Sequence, residues 1–172
     1  SMSTTINNFR NFFQEDTEVV EFDAISLCKE VSGIFFAELR STGIHIKTIY
    51  RHTNGEEEPL DLIYGSSLPV ILISGFPNDL KHVLMNIISN SRDAIVEQIR
   101  AGKTAADSGL IKIVIEPDID SILFELSDNG GGVTDAILDR IFEPYFTTRG
   151  LTRNMGIGLH ICRTIVEKNM RG

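Results

Sequence analysis

The sequence predicts an α+β fold in a single domain. Its 172 residues are 42% hydrophobic and 23% charged, a composition that supports one packed core and is atypical of disordered chains. Runs in which apolar and polar residues alternate, as in half-buried strands, stand beside runs with the apolar spacing of amphipathic helices. Both kinds of element are therefore expected to share one core.

Charge and composition exclude several functional classes. The formal net charge of −8 disfavours nonspecific binding to nucleic acid or anionic lipid. The longest apolar run, Leu68–Ile73, is too short to cross a bilayer. We expect no membrane contact by this chain, and a cytoplasmic location either as a free protein or as the cytoplasmic part of a membrane sensor. No signal peptide is visible, and the opening Ser-Met resembles an expression scar. Cys28 and Cys162 occupy apolar helical settings, which predicts packed thiols in a reducing compartment.

The N-terminal third predicts two helical segments and a strand. Residues Ile6–Gln14 place apolar side chains on one helical face and indicate the end of a longer helix. A short strand is expected at Val19–Phe22. Asp23 then stands where its carboxylate can accept hydrogen bonds from the first free N–H groups of a helix over Ala24–Leu39.

Four further strands are predicted in the rest of the chain. They cover Ile44–Arg51, Val70–Ser74, Leu110–Glu116 and Ser121–Ser127. The polar and turn-rich segment Thr53–Pro59 is predicted as a loop. The last two strands are expected to form a hairpin around the turn at Pro117.

A long amphipathic helix is predicted over Asp79–Arg100 from its apolar spacing. Asn86, Asn90, Asp93 and Glu97 recur at intervals of four, three and four residues, so they share one stripe of this helix. A solvated face is one explanation, although asparagine is a mediocre helix former for that purpose. A stripe that borders a cleft is the other, and an asparagine oxygen there is a hard, neutral ligand suited to magnesium.

A carboxylate followed by glycines comes directly after the last predicted strand, in the stretch Asp128–Gly132. Glycine permits positive φ and the close approach of a ligand. An aspartate at the end of a buried strand can accept a hydrogen bond from an amine such as the exocyclic N6 group of adenine. The alternative is a tight turn in which Asp128 accepts hydrogen bonds from its own loop.

The segment after these glycines predicts a short helix over Thr134–Ile141, which Pro144 stops. Phe142, Tyr145 and Phe146 are expected to anchor the loop that follows. This loop extends to Met155, contains basic and hydroxyl groups with little to bury, and is predicted to be a mobile lid.

Two glycines, Gly156 and Gly158, then open a final helix over Leu159–Lys168. A glycine-rich turn that feeds a helix N-terminus is a natural phosphate site, because free backbone N–H groups point at the anion. The alternative is an ordinary turn and helix start.

Four stretches in this order resemble the ATP-binding domain of sensor histidine kinases, within the GHKL superfamily. That superfamily also includes DNA gyrase B subunits, mismatch-repair ATPases and heat-shock chaperone ATPases. The N box corresponds to His82–Ala94, the first glycine box to Asp128–Gly132, the F box to Phe142–Arg149 and the second glycine box to Gly156–Leu159. The resemblance implies a two-layer α/β sandwich, a Bergerat-type ATP-binding fold in which a mixed β-sheet packs on helices.

The resemblance also implies roles for individual residues, with ATP and Mg²⁺ as cofactors. Asn90 would be the magnesium ligand with Asn86 as a helper, and Arg149 would reach the phosphates. Asp128 would bind the adenine N6 group in a pocket shaped by two glycines, Gly130 and Gly132. Further nucleotide contacts are implied for Asp93, Phe142, Thr147, Thr148, Gly156, Gly158 and Leu159.

Three features depart from the family pattern. Asn154 stands where the second glycine box usually opens with a glycine. The family domain normally continues past Lys168 with a turn and a final hairpin. The phosphoacceptor motif is absent, since none of the four histidines fits it. We therefore expect residues 1–15 to be the scar and the end of a preceding dimerisation helix, and residues 16–172 to be an ATP-binding kinase domain truncated at its C-terminus.

The predicted function is that of the catalytic domain of a two-component sensor histidine kinase, a transferase that passes the ATP γ-phosphate to a histidine on a dimerisation domain of the same protein. Hydrolysing relatives carry a glutamate at the position of Asn86 as a base for water, so very slow ATP hydrolysis is expected. The expected partners are that domain and a response regulator receiver domain, in a homodimer. The alternatives are a degenerate ATP fold acting as a docking module and a protein-serine kinase of the same superfamily.

Overall fold

The computed structural model describes residues 18–60, 69–148 and 156–170. Its elements in chain order are β1 (Val20–Asp23), α1 (Ala24–Ser41), β2 (Ile44–Arg51), β3 (Glu57–Pro59), β4 (Leu72–Gly75), α2 (Pro77–Arg100), β5 (Gly109–Pro117), β6 (Ile122–Asp128), α3 (Asp135–Leu138) and α4 (Gly158–Asn169). The chain divides into two compact units. We call Asp23–Ile71 with Ile88–Gly132 the sheet unit, and Ser1–Phe22, Leu72–Ile87 and Val133–Gly172 the terminal unit.

The sheet unit contains a four-stranded mixed sheet in the order β3-β2-β5-β6. β2 and β5 are parallel, with Ile44 opposite Gly109, whereas the outer strands pair antiparallel with their neighbours. The predicted hairpin is confirmed, since β5 and β6 pair from Ile111 opposite Asp128 to Pro117 opposite Ile122. A mixed sheet with helices confirms the predicted fold class.

Helices cover the sheet because both contribute apolar faces. The buried residues of α1, β2, β5 and the second half of α2 are mostly aliphatic, and they include Ile25, Val31, Leu39, Ile44, Ile88, Ile95, Ile111, Ile113 and Ile115. Gly109 marks the tightest approach: a Cβ there would lie 2.7 Å from side-chain carbons of both Ile44 and Ile95. The first residue of β5 therefore leaves room for α2 to pack closely.

The predicted cap at Asp23 is confirmed. Its carboxylate accepts hydrogen bonds from the backbone N–H groups of Ile25 and Ser26 in the first turn of α1, and from the N–H of Ile71 at 3.0 Å. Burial by itself raises the pKa of Asp23, but the hydrogen bonds from Ser26, Ile71 and Ile25 outweigh it, so the pKa lies below its ordinary value. The cap thus joins the helix start to a distant part of the same unit.

The segment predicted as a loop over Thr53–Pro59 is in part a strand, and that prediction was wrong for β3. Arg51 of β2 forms ion pairs with Glu57 of β3 at 2.9 Å, with Glu116 of β5 at 3.0 Å and with Glu125 of β6 at 3.1 Å. These contacts raise the pKa of Arg51. Charge pairing across the strands thus holds the glutamate-rich β3 at the edge of the sheet. A prediction based on turn-forming residues does not take such pairing into account.

The terminal unit contains the two-stranded sheet of β1 and β4, the first half of α2, α3 and α4. Leu80, Val83 and Leu84 of α2 are buried here, and so is Cys162 of α4. Asn169 at the end of α4 donates to Asp79 near the start of α2 at 2.6 Å. The five strands that were predicted, α2 and α4 lie within two residues of their predicted bounds.

The predicted helix over Thr134–Ile141 is shorter than expected, and Pro144 does not end it. α3 closes at Leu138, and the chain continues in turns in which Arg140 N–H bonds to the Ile137 carbonyl and Glu143 N–H to that of Arg140. Each of these bonds spans three residues, so tight turns replace the helix well before the proline.

Several sequence predictions lie outside the described residues. They concern the helix end at Ile6–Gln14, the phosphate residue Arg149, Asn154 and most of the predicted lid. Across the parts of the chain that the structure describes, no helix has the length and apolar character needed to cross a membrane.

Candidate functional site

The carboxylate of Asp128 is held on both of its oxygens. Ser91 donates its hydroxyl to Oδ2 at 2.6 Å, and the backbone N–H of Gly130 donates to Oδ1 at 2.8 Å. Asp128 is the last residue of β6, as expected, but β6 is an edge strand with no fully buried residue, not the buried strand that was predicted. The residue remains exposed to solvent, so its carboxylate is fixed in direction and still accessible.

Ser91 is a residue of this site that the sequence predictions missed. Only 5% of it is exposed, and its hydroxyl reaches a strand far away in the chain. The signal was present, because Ile88, Ser91 and Ile95 follow the apolar spacing of α2 and a serine interrupts that row. A buried hydroxyl requires a hydrogen-bond partner, and here the partner is Asp128.

The first glycine box approaches α2 closely. A Cβ on Gly130 would lie 2.6 Å from the Cβ of Ala94 and 3.0 Å from the backbone nitrogen of Ile95, so the residue must be glycine for lack of space. Gly131 and Gly132 have φ values of +94° and +70°, which favour glycine for backbone reasons. Glycine is therefore required for lack of space at the first of these positions and for its backbone conformation at the other two.

Asn129, which was assigned no role, fastens this loop to the sheet. Its side-chain oxygen accepts from the N–H of Leu110 at 2.8 Å, and its side-chain nitrogen donates to the carbonyl of Ser108 at 2.8 Å. The asparagine thus continues the pairing of β6 with β5 past Asp128 and fixes where the glycines begin.

The predicted polar stripe of α2 is half-buried at Asn86, Asn90 and Asp93 and exposed at Glu97. Asp93 accepts two hydrogen bonds from the guanidinium of Arg92, at 3.0 and 2.8 Å. Arg92 also pairs with Glu38 of α1 at 2.6 Å. Burial by itself lowers the pKa of Arg92, but these acidic partners outweigh it and raise the pKa. Arg92 therefore joins two helices of the sheet unit.

The second glycine box packs against the F box within the terminal unit. Gly156 has a φ of +65°, and a Cβ there would lie 2.5 Å from the carbonyl oxygen of Phe146 and 2.7 Å from the carbonyl carbon of Tyr145. Backbone atoms cannot move aside as a flexible side chain can. Both the backbone conformation and the space therefore require glycine at position 156, two residues before α4 begins.

Asn86 and Gly158 are neighbours in the same unit. A Cβ on Gly158, the first residue of α4, would lie 3.2 Å from Oδ1 of Asn86. Leu159 follows as a half-buried residue of the first turn. The amide oxygen of Asn86 thus lies at the helix N-terminus, where backbone N–H groups lack helical partners.

The predicted aromatic anchors of the F box are only partly confirmed. Tyr145 is 71% exposed and has a φ of +66°, and Phe142 is 37% exposed, so neither is a buried anchor. Phe146 is half-buried, with the guanidinium of Arg140 4.5 Å from its ring centre. The guanidinium of Arg163 lies 5.8 Å from the ring centre of Phe142, so cation–ring contacts support both phenylalanines at the surface. Residue type alone does not distinguish this role from packing in the core.

The remaining F-box residues contact α4 or stand nearby in sequence. Nδ1 of His160, in α4, lies 3.1 Å from the carbonyl oxygen of Phe142. Thr147 is half-buried and Thr148 is exposed. Of the residues predicted for the phosphates, Gly156 and Gly158 are therefore described together with the F box, whereas Arg149 is outside the described residues.

Both cysteines are packed thiols, as predicted. Cys28 and Cys162 are free and buried. Burial raises the pKa of Cys28 to about 12 and that of Cys162 to about 11. Within residues 18–60, 69–148 and 156–170, no group of three or more His, Cys, Asp and Glu side chains is arranged to hold a metal ion.

Comparison with known proteins gives relatives in sequence and in fold. Residues 75–172 match the profile of the family described as histidine kinase-, DNA gyrase B-, and HSP90-like ATPase. Sporulation kinase A of Bacillus subtilis is 29% identical over 143 residues, which cover 83% of this chain and 19% of that protein. The chain therefore spans a small part of this relative.

Two solved structures share the fold. The nucleotide-free catalytic domain of histidine kinase ThkA has a TM-score of 0.63 at 24% identity, covering 88% of this chain and 82% of that chain. ThkA in complex with the response regulator protein TrrA has a TM-score of 0.58 at 21% identity, covering 96% of this chain and 40% of that chain. Because the family profile covers more than half of the chain, the protein belongs to the family of histidine kinase-, DNA gyrase B- and HSP90-like ATPases.

Proposed function

We propose that this chain is the ATP-binding catalytic domain of a two-component sensor histidine kinase. In this function the γ-phosphate of ATP passes to a histidine on a dimerisation domain of the same protein. The observation that carries the proposal is the accessible carboxylate of Asp128, oriented by Ser91 and Gly130 in a family of ATPases.

The arrangement around Asp128 fits an adenine base. Each carboxylate oxygen accepts one hydrogen bond inside the protein. An ionised carboxylate offers about four acceptor positions, so capacity remains for an exocyclic amine. Gly130 adds no side chain in front of α2, and Gly132 has open space where a Cβ would stand. We assign the N6 group of adenine to Asp128, with Gly130 and Gly132 shaping its surroundings.

The amide side chains of Asn86 and Asn90 fit Mg²⁺, because they supply hard, neutral oxygens. Magnesium typically takes few protein ligands and keeps water and phosphate oxygens for the rest. Asn90 would be the main protein ligand and Asn86 its helper. When bound, the ion would neutralise charge on the phosphates. The half-buried setting of both asparagines limits their motion and so favours a defined ligand geometry.

The N-terminus of α4 fits a phosphate group. α4 has twelve residues, so its first free N–H groups and its dipole favour an anion there. Gly156 and Gly158 add no side chains of their own at that end. We assign the phosphates to these glycines and Leu159, with Arg149, Thr147 and Thr148 as supporting groups. Asp93 and Phe142 would complete the nucleotide contacts.

Asn86 favours transfer over hydrolysis. A carboxamide cannot take a proton from water, so a general base is missing at the position where hydrolysing relatives carry glutamate. Phosphoryl transfer depends mainly on positioning and charge neutralisation, which the asparagines, the helix N-terminus and Arg149 can provide. We therefore expect bound ATP to transfer its γ-phosphate to a histidine rather than to water.

The partners follow from the same proposal. The phosphorylated histidine would pass its phosphate to the receiver domain of a response regulator, and the whole protein would be a homodimer. We assign residues 16–172 to the ATP-binding domain and residues before 16 to the end of the dimerisation helix. The cytoplasmic location stays a prediction.

Two measurements test the proposal. Titration of a non-hydrolysable Mg·ATP analogue into the chain is expected to give saturable binding by calorimetry, with GTP analogues much weaker. Radiolabelled ATP is then expected to label a supplied histidine-bearing dimerisation domain in acid-labile form, while free phosphate appears very slowly. Binding without labelling would favour a docking module, acid-stable labelling would favour a serine kinase, and fast phosphate release would favour a hydrolase.

A further inference from the structure

The side chain of Asn86 is bordered by two residues that stand one helical turn apart on α4, Gly158 and Cys162. Gly158 faces its oxygen, since a Cβ there would lie 3.2 Å from Oδ1 and 3.7 Å from Cγ. Cys162 is the only buried residue of α4 and is 4% exposed. Asn86 is therefore in contact with α4 at two successive turns.

The thiol of Cys162 is engaged on both sides. It donates to the backbone carbonyl of Val83 on α2 at an Sγ–O distance of 3.8 Å. It also shares a hydrogen bond with the Asn86 side chain, which lowers the pKa of the thiol against the larger rise caused by burial. Because Oδ1 of Asn86 faces Gly158, the amide nitrogen is the end of the carboxamide that can donate to the sulfur.

We propose that Cys162 is a positioning residue. Its sulfur accepts a hydrogen bond from the amide nitrogen of Asn86, and this bond orients Oδ1 toward the N-terminus of α4, where Gly158 leaves space. The inference rests on the proposed function, in which this oxygen faces Mg²⁺ and the phosphates. It extends that function by giving the fixed orientation a physical cause.

The orientation matters because the two ends of a carboxamide are chemically opposite. Oδ1 can bind a cation, whereas a rotated amide would present an NH₂ group, which only donates. Residues that orient metal ligands from behind typically change metal affinity by about 10- to 100-fold when they are replaced. A hydroxyl can replace the thiol as both donor and acceptor, but a methyl group can do neither.

The test uses three variants. Cys162→Ala removes the sulfur, and Cys162→Ser keeps a donor and acceptor. Cys28→Ala is the matched control, because it removes the other buried free thiol, on α1, which contributes to no proposed site. Thermal unfolding of all three variants measures the loss of stability caused by removing a buried thiol. An effect on the site is then compared between Cys162→Ala and Cys28→Ala, which both lose such a thiol.

The first readout needs no nucleotide. The side-chain amide proton pair of Asn86, assigned by its loss in Asn86→Asp, is recorded by NMR in each variant. Cys162→Ala is expected to shift this pair, Cys162→Ser to bring it back toward its original position, and Cys28→Ala to leave it unchanged. An unmoved pair in Cys162→Ala would overturn the inference whatever the protein binds.

The second readout is the Mg²⁺ dependence of ATP-analogue binding. Cys162→Ala is expected to weaken the apparent Mg²⁺ affinity about tenfold, with the affinity measured in EDTA unchanged and Cys162→Ser near the original value. Equal losses with and without Mg²⁺, or no loss, would reject the positioning role while the proposed function stands. Binding by the unaltered chain that does not respond to Mg²⁺ would reject both.

Discussion

The two glycine boxes of this protein are maintained in opposite ways. In the first box, hydrogen-bond donors converge on one side chain, the carboxylate of Asp128, from α2 and from the loop itself. In the second box, the missing side chain of Gly156 makes room for the backbone of Tyr145 and Phe146. The first box is therefore sensitive to the loss of a polar group, and the second to the addition of a carbon atom.

The largest effect is expected from Asp128→Asn. The amide would place an NH₂ group against the Gly130 N–H or the ligand amine, which need acceptors, or against the Ser91 hydroxyl, which would have to rotate and accept instead of donating. We expect analogue affinity to fall about 100-fold, roughly 3 kcal/mol. Calorimetric titration measures it, and circular dichroism checks the fold. Affinity within threefold of the original in a folded variant would remove Asp128 from the base contact.

Gly156→Ala is the matching change in the second box. The new Cβ would overlap the Phe146 carbonyl, and a positive φ costs a residue with a side chain roughly 1–2 kcal/mol. We expect nucleotide affinity to fall about tenfold, along with thermal stability, since backbone must move.

The control for that change is Gly102→Ala. Gly102 has a similar φ of +68° but open space around the Cβ position, so it carries the backbone strain without the overlap. Calorimetry and thermal unfolding of both variants separate the two causes. If Gly102→Ala lost as much stability as Gly156→Ala, strain alone would explain the second box and its packing on the F box would be irrelevant.

Ser91→Ala is expected to have a smaller effect than either. It removes one of the two donors to Asp128 and leaves the carboxylate charged and accessible. A hydrogen bond to a charged group contributes about 1.5–3 kcal/mol, part of which water can replace at an exposed carboxylate. We expect about fivefold weaker analogue binding by calorimetry, with recovery in Ser91→Thr, which keeps the hydroxyl. An unchanged affinity in Ser91→Ala would show that Gly130 orients Asp128 alone.

The smallest effect on binding is expected from Asp23→Ala. Like Asp128, Asp23 accepts several hydrogen bonds through its carboxylate, but it is assigned no contact with the nucleotide. Losing the cap is expected to cost about 1 kcal/mol of stability near neutral pH, with nucleotide affinity unchanged. Because the folded-state pKa is lowered, the stabilisation is present above the ordinary value of 3.8 and is lost as the pH falls through the folded-state pKa.

Denaturant unfolding at several pH values measures the difference in the free energy of unfolding between the unaltered chain and Asp23→Ala. This difference is expected to be full at pH 6 and to narrow below the ordinary pKa of Asp23. A gap that is constant with pH would mean that Asp23 acts through packing and not through its charge. Reduced nucleotide affinity at pH 7 would mean that the cap, too, supports the binding site.

Local patterns predicted most of the elements. The alternation in β2 predicted its bounds correctly, and the spacing in α2 predicted a helix that begins two residues earlier than expected. Asp23 was identified because its carboxylate stands where a helix is predicted to begin, and Asp128 because it ends a predicted strand and precedes three glycines. By contrast, β3 was missed because it consists of two glutamates and a proline, and Glu57 is held by ion pairs with Arg51 of β2 and Lys112 of β5.

The order and spacing of four short motifs were enough to identify the family, because each encodes a local requirement for a glycine, an amide or a carboxylate at one position. Only the tertiary structure decided which groups act on those positions. Ser91 reaches Asp128 across 37 residues, and Cys162 reaches Val83 across 79. Such contacts depend on how α2 packs within each unit, and packing brings together atoms that no local pattern relates.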